Sequence, residues 1–183
     1  MPVTPEQAEI LHLLMPLHFF YEKEGKMLPG IRFIDPAEMP DPQNGLLVHE
    51  RDMTSTLSRF HESKISLEVK ARELSENHLL REVILRRADD GAPVEYGAIG
   101  IRLEKFDGPI RDMIADGAAP LGELIEAHVV NYRSCPRGFF RVIADETIAK
   151  ALDVAEGSEL YGRSNELTDR DGIAFADIVE VLP

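Results

Sequence analysis

The sequence predicts an α+β domain built on antiparallel strand pairs, and three observations carry that reading. Ile65, Leu67, Val69 and Ala71 alternate with Ser66, Glu68 and Lys70, the period of a strand with one buried face. Two apolar runs, Leu79 to Arg87 and Val94 to Leu103, flank Asp89-Asp90-Gly91-Ala92-Pro93, and a second such pair flanks Asp169-Arg170-Asp171-Gly172. Asp and Gly supply the positive-φ positions that tight hairpins require. Between the pairs lie segments with helical spacing, so strands and helices do not alternate as they do in parallel α/β folds.

Taken in order, residues 4–20 read as a helix interrupted near Pro16, with Thr4 as N-cap, Pro5 at the first helical position and Gln7 completing a capping box. Residues 28–45 hold Pro29, Pro36, Pro40 and Pro42 with Gly30 and Gly45. This reads as an irregular connection, and as the boundary between an N-terminal appendage (1–45) and the domain proper (46–183). A short helix follows Asp52, with Leu57 and Phe60 as its apolar face. Pro109 opens a helix carrying Ile110, Met113 and Ile114, and another begins at Pro120-Leu121 with Leu124 and Ile125. Residues 128–143 read as a strand broken at Cys135-Pro136. Asp145 caps a helix that runs to Leu152, and the closing hairpin spans Leu160 to Leu182.

Composition narrows the function. The 183 residues are enough for one domain that buries roughly 70% of its unfolded surface. Twenty Lys and Arg against 33 Asp and Glu give −13, a field that repels nucleic acid and anionic membranes. A single cysteine, Cys135, excludes an internal disulfide, and six scattered histidines show no i, i+4 pair. No Gly-rich phosphate loop and no Ser nucleophile elbow occur, since Gly97-Ala98-Ile99-Gly100 falls inside a strand. The expectation is a cytoplasmic protein without metal or cofactor, a monomer or small homo-oligomer.

Arg81 stands out. Period two places it on the same face as Val83 and Leu85, inside an otherwise apolar strand. A guanidinium there needs a carboxylate, either from a neighbouring strand or from a ligand, and the sequence leaves both open.

Leu80-Arg81-Glu82-Val83-Ile84-Leu85, Ala119-Pro120-Leu121-Gly122, Leu160-Tyr161-Gly162-Arg163-Ser164 and the closing Val181-Leu182-Pro183 occur in the order and spacing of chorismate lyases. Asp52-Met53-Thr54-Ser55 resembles that family's segment ahead of its second strand. The resemblance covers roughly residues 46–183. It implies a six-stranded antiparallel sheet with helical flaps, and cleavage of chorismate to 4-hydroxybenzoate and pyruvate without cofactor. It also implies an alternative, a non-catalytic binder of a small aromatic carboxylate related to the sensor domains of bacterial repressors.

Carried over by position, Arg81 grips the aromatic carboxylate. Met53 and Leu121, with Thr54 and Gly122 beside them, bring backbone to the ligand. The family's acid falls at Val179 and its second arginine at Ala98. Alternation puts Asp177 on the face of Val179 and Arg102 on the face of Ala98, with Glu180 on the opposite face. The expected site is therefore Arg81, Asp177 and Glu180 for catalysis, with Asp177 preferred over Glu180. Met53, Thr54, Arg81, Arg102, Leu121 and Gly122 are expected to bind ligand. The plainer alternative is that Asp177 and Glu180 are solvated charges on a terminal strand.

Overall fold

A computed structural model describes residues 5–183 except 118 and 129, and side chains from residue 8 onward. The expected capping box at Thr4 and Gln7 lies outside that range. Helices α1 (Pro5–Leu13) and α2 (Met15–Lys23) are separated at Leu14, with Pro16 at the start of the second, where its missing N–H costs nothing.

One antiparallel sheet organises the chain. Its strands are β1 (Ile31–Ile34), β2 (Ile65–Leu74), β3 (His78–Arg87), β4 (Pro93–Arg102), β5 (Arg133–Ile143), β6 (Glu159–Thr168) and β7 (Ala174–Leu182). The order across the sheet is β1-β5-β6-β7-β4-β3-β2. The hairpins β3–β4 and β6–β7 turn at Gly91 and Gly172, with φ of 76° and 79°. They join where β4 pairs with β7, so the last strand lies at the middle of the sheet.

The seventh strand is β1, inside the proline-rich stretch expected to be irregular. Four residues free of proline, Ile31 to Ile34, pair with β5, and Phe33 packs edge-on against Phe140 with ring centroids 5.7 Å apart. Nor is β5 broken at Pro136. A bulge between Pro136 and Gly138 absorbs the missing donor, and pairing with β6 resumes on either side.

Helices cover both faces. On one, Leu14, Leu17, Phe20 and Tyr21 pack with Ile148 and Leu152 of α7 (Glu146–Leu152) against Tyr96, Ala98, Val179 and Val181. Asp145 caps α7 as expected and also accepts from Tyr21 Oη at 3.0 Å. The other face carries two clusters. Leu46 and Leu47 of α3 (Gln43–Leu47), with Met53 and Leu57 of α4 (Met53–His61), pack on Ile65, Leu85 and Leu182. Ile114 of α5 (Gly108–Asp116), with Leu121, Leu124 and Ile125 of α6 (Leu121–Ala127), packs on Leu79, Ile99, Ile101 and Leu167. Phe60, expected on the apolar face of α4, is 51% exposed, and that face is made by Met53, Thr56 and Leu57 instead. A gap remains between the two clusters.

Candidate functional site

That gap is a cavity of about 620 Å3, its mouth included. Its floor is the sheet: Arg81, Val83 and Leu85 from β3, Glu95 and Ile99 from β4, Ile178 and Glu180 from β7, Asn165 and Leu167 from β6. Its roof is made by the starts of α4 and α6, through Asp52, Met53, Thr54, Pro120, Leu121 and Gly122. Period two explains the floor, since Arg81, Val83 and Leu85 share one face while Leu80 and Ile84 serve the opposite core.

The roof is tied together by a cap and a glycine. Asp52 accepts from the backbone N–H groups of Thr54 and Ser55, both at 2.9 Å, and so fixes the start of α4. Gly122 lets α6 approach that carboxylate: a Cβ there would lie 2.3 Å from Asp52 Oδ1. At the other end, α5 closes at Gly117 (φ 71°), whose Cβ position lies 3.6 Å from Arg81 Nη1.

Arg81 is 2% exposed, and its Nε and Nη1 have no hydrogen-bond partner among the described residues. Burial alone pulls its pKa down to about 10. Glu95, 5% exposed, also has an unpartnered oxygen, Oε2. Its carboxyl is held well above the ordinary value, first by burial and then by the charge of Glu180, with Arg163 opposing and Asp52 adding. Leaving a buried polar group unpaired costs about 1–3 kcal/mol, more when it is charged. Among the described residues these are the buried side-chain atoms left without partners, and all of them face one cavity. Such orphans fit a site completed by a ligand.

Arg163 and Asn165 have partners within the protein. Arg163, wholly buried, donates from Nε to Glu180 and from Nη1 to the carbonyls of Leu47 (3.1 Å) and His49 (3.0 Å). Asn165 and Ser134 hydrogen-bond each other. Tyr132 lines the cavity, and burial raises its pKa to about 12.

Of the residues expected from the sequence, Arg81, Met53, Thr54, Leu121, Gly122 and Glu180 come together here. Asp177 does not. It pairs with Gly100 and Glu166 on the opposite face of β7, partly exposed, while Ile178 and Glu180 face the cavity. Asp177 therefore lies outside the cavity, because the side chain of Val179, whose face it shares, packs into the α2–α7 core. Arg102 is exposed at the end of β4, on the face away from Arg81. Glu95, Arg163, Asp52 and Tyr132 were not among the expected site residues. Glu95 was within reach of sequence reasoning, as the one acid in the apolar run Val94 to Ile101, two residues from the glycine that opposes Val83.

The fold matches known structures. The effector domain of PhnF from Mycobacterium smegmatis superposes with a TM-score of 0.57 at 14% identity, over 72% of this chain and 87% of that one. PhnF itself gives 0.55 at 12% identity, over 91% and 93%. The ligand-binding domain of a GntR-family regulator from Bordetella bronchiseptica gives 0.52 at 14%, over 66% and 85%. The chain has the fold of GntR-family ligand-binding domains. That fold is also chorismate lyase-like, so the α+β antiparallel architecture expected from the sequence is present, with one strand more. No protein-family model matches the sequence, and no curated protein does. Among the described residues no group of three or more His, Cys, Asp or Glu is placed to hold a metal, and no helix is long and apolar enough to cross a membrane.

Proposed function

We propose that the protein binds a small, aromatic-type carboxylate in this cavity and acts as a ligand-sensing domain. The observation that carries the reading is Arg81, a buried guanidinium with two N–H groups unpartnered and aimed into an otherwise largely apolar space. A carboxylate can accept from these donors, and the apolar floor of Val83, Ile99 and Ile178 suits a ring. The likeness to regulator ligand-binding domains supports the same reading. Titration calorimetry with benzoate tests it: wild type should bind, and Arg81→Met should lose the heat signal while remaining folded. Equal binding by the two proteins would remove Arg81 from the site.

Cleavage of chorismate is the second reading, favoured by the two carboxyl groups, Glu95 and Glu180, in the same cavity as Arg81. Elimination needs a ring proton removed and the departing oxygen stabilised, work for a carboxyl of raised pKa. Glu95 has that property, whereas Glu180 is engaged by Arg163. Pyruvate release from chorismate under single-turnover conditions, abolished by Glu95→Gln, is the expected signature of a lyase. Binding without pyruvate leaves the sensing reading alone.

A further inference from the structure

We infer that His49 is a proton-sensitive latch: its neutral ring holds the segment between α3 and α4 closed beside the cavity, and acidification releases that segment. The effect on ligand capture rests on the ligand-binding reading, whereas the latch itself does not.

The partners of the ring fix its protonation state. Nε2 lies 2.7 Å from the carbonyl of Leu46, which can only accept, so Nε2 carries the proton. Nδ1 lies 3.1 Å from the backbone nitrogen of Arg51, which can only donate, so Nδ1 is the bare acceptor. Nη1 of Arg163 makes a longer contact with the same ring nitrogen, at 3.4 Å. One neutral tautomer satisfies all three groups. A second proton, on Nδ1, would face two donors, one of them a guanidinium, a group that stays charged at every working pH.

The surrounding charges offer that proton no partner. Arg163 acts on the ring from β6 and Arg51 from its own segment, and both are cations. Glu180 of β7 accepts from Nε of Arg163, and Glu95 of β4 lies in the field of that pair. Asp52 is engaged by the first N–H groups of α4. Among the described residues no carboxylate is hydrogen-bonded to the ring. Burial, then Arg163, accordingly holds the pKa of His49 below its ordinary 6.5.

The latched segment supports the roof. Arg163 also holds the carbonyls of Leu47 and His49, so a charged ring would work against that tie as well. Residues 48–51 run directly into Asp52, which caps α4, and Asp52, Met53 and Thr54 line the cavity. A released ring takes up its proton near 6.5, whereas the latched ring resists it. Each pH unit below that value therefore favours release by up to about tenfold.

The test is amide hydrogen exchange on the full chain at pH 7.5 and 5.5, corrected for the intrinsic pH dependence of exchange and read at Arg51, Thr54 and Ser55. Wild type is expected to lose about tenfold in protection at these amides at pH 5.5, and they should exchange faster than the central strands β4 and β7 at both pH values. His49→Asn, whose Oδ1 takes the place of Nδ1 as acceptor and binds no proton, should show no such loss. Thermal melts at pH 7.5 confirm that the variant is folded. Ring nitrogen shifts of wild type at pH 7.5 should report the tautomer protonated at Nε2. The opposite tautomer, unchanged wild-type protection, an equal loss in His49→Asn, or protection equal to that of the central strands would each overturn the latch. Saturating benzoate should restore protection at pH 5.5, and binding that leaves it unrestored would overturn the coupling to the cavity. Absence of benzoate binding at both pH values overturns the ligand-binding reading and leaves the latch standing.

Discussion

Arg163 and Glu180 face each other across β6 and β7, and the same arginine reaches over to hold the carbonyls of Leu47 and His49. A weaker contact goes from Nη2 to the carbonyl of Arg51 at 3.4 Å. One side chain thereby fixes the loop between α3 and α4 to the middle of the sheet. That loop leads into Asp52 and Met53, so the roof of the cavity is positioned from its floor.

Removing the arginine should be costly. Arg163→Met leaves Glu180 buried without compensation and strips donors from the loop carbonyls, and the expected loss is about 3–5 kcal/mol in urea unfolding. Glu180→Gln should cost less, because a neutral amide still accepts from the guanidinium. A loss below about 1 kcal/mol for Arg163→Met would mean that the bracket is dispensable.

Arg81 presents the reverse case. Its buried N–H groups are unpaired, so Arg81→Met removes an unsatisfied charge and fills similar volume. The expected outcome is a ligand-free protein more stable by about 1 kcal/mol, with carboxylate affinity lowered by about 1.5–3 kcal/mol, the scale of a charged hydrogen bond. Thermal melts and calorimetry read the two effects separately. A variant less stable than wild type would show that Arg81 has a structural partner.

Much of this was legible in the sequence, for local reasons. The alternation at 65–69 and the Asp-Gly turns predict β2 and both hairpins, although a bulge between Val69 and Ala71 turns Ala71 to the opposite core, and Asp145 caps a helix where expected. Arg81 was placed correctly because its face follows from Val83 and Leu85, its own neighbours. What failed depended on partners distant in the chain. β1 is a strand because β5 lies beside it, and Pro136 is tolerated because a bulge follows it. Asp177 was preferred on the expectation that Val179 faces the site. The helices of residues 15–23 and 146–152 bury Val179 on the far side, a fact that no periodicity within β7 contains.

Gly122 offers a steric test of the roof. An added Cβ would sit 2.3 Å from Asp52 Oδ1 and 3.0 Å from its Cγ, displacing the carboxylate that caps α4. Gly122→Ala should therefore lower stability by about 1–2 kcal/mol, near the value of an N-cap, and weaken ligand binding as well. Gly45→Ala is the control, since nothing lies within 4 Å of its Cβ position and it sits in a helix. It should be neutral or gain up to about 1 kcal/mol. Equal effects at the two positions would show that α6 can move away from Asp52 without cost.

Glu95 should leave a signature in the pH dependence of stability. Burial, then Glu180, holds its carboxyl well above the ordinary 4.5, so the folded state keeps a proton that the unfolded chain releases. Between those two pKa values the unfolded state binds fewer protons, and stability falls as pH rises. The contribution is fully present below about 4.5 and is lost as pH climbs through the folded value. His49 acts in the opposite sense. Its pKa is lowered, chiefly by burial and then by Arg163, so its contribution is present above 6.5 and is lost as pH falls through the folded value. The difference between wild type and Glu95→Gln isolates the first effect, because His49 is common to both and the glutamine has no proton to lose. The two proteins should have similar urea midpoints in acid, and the variant should become progressively the more stable as pH rises. Parallel curves, with no divergence toward alkaline pH, would mean that burial does not raise the Glu95 carboxyl in the folded protein.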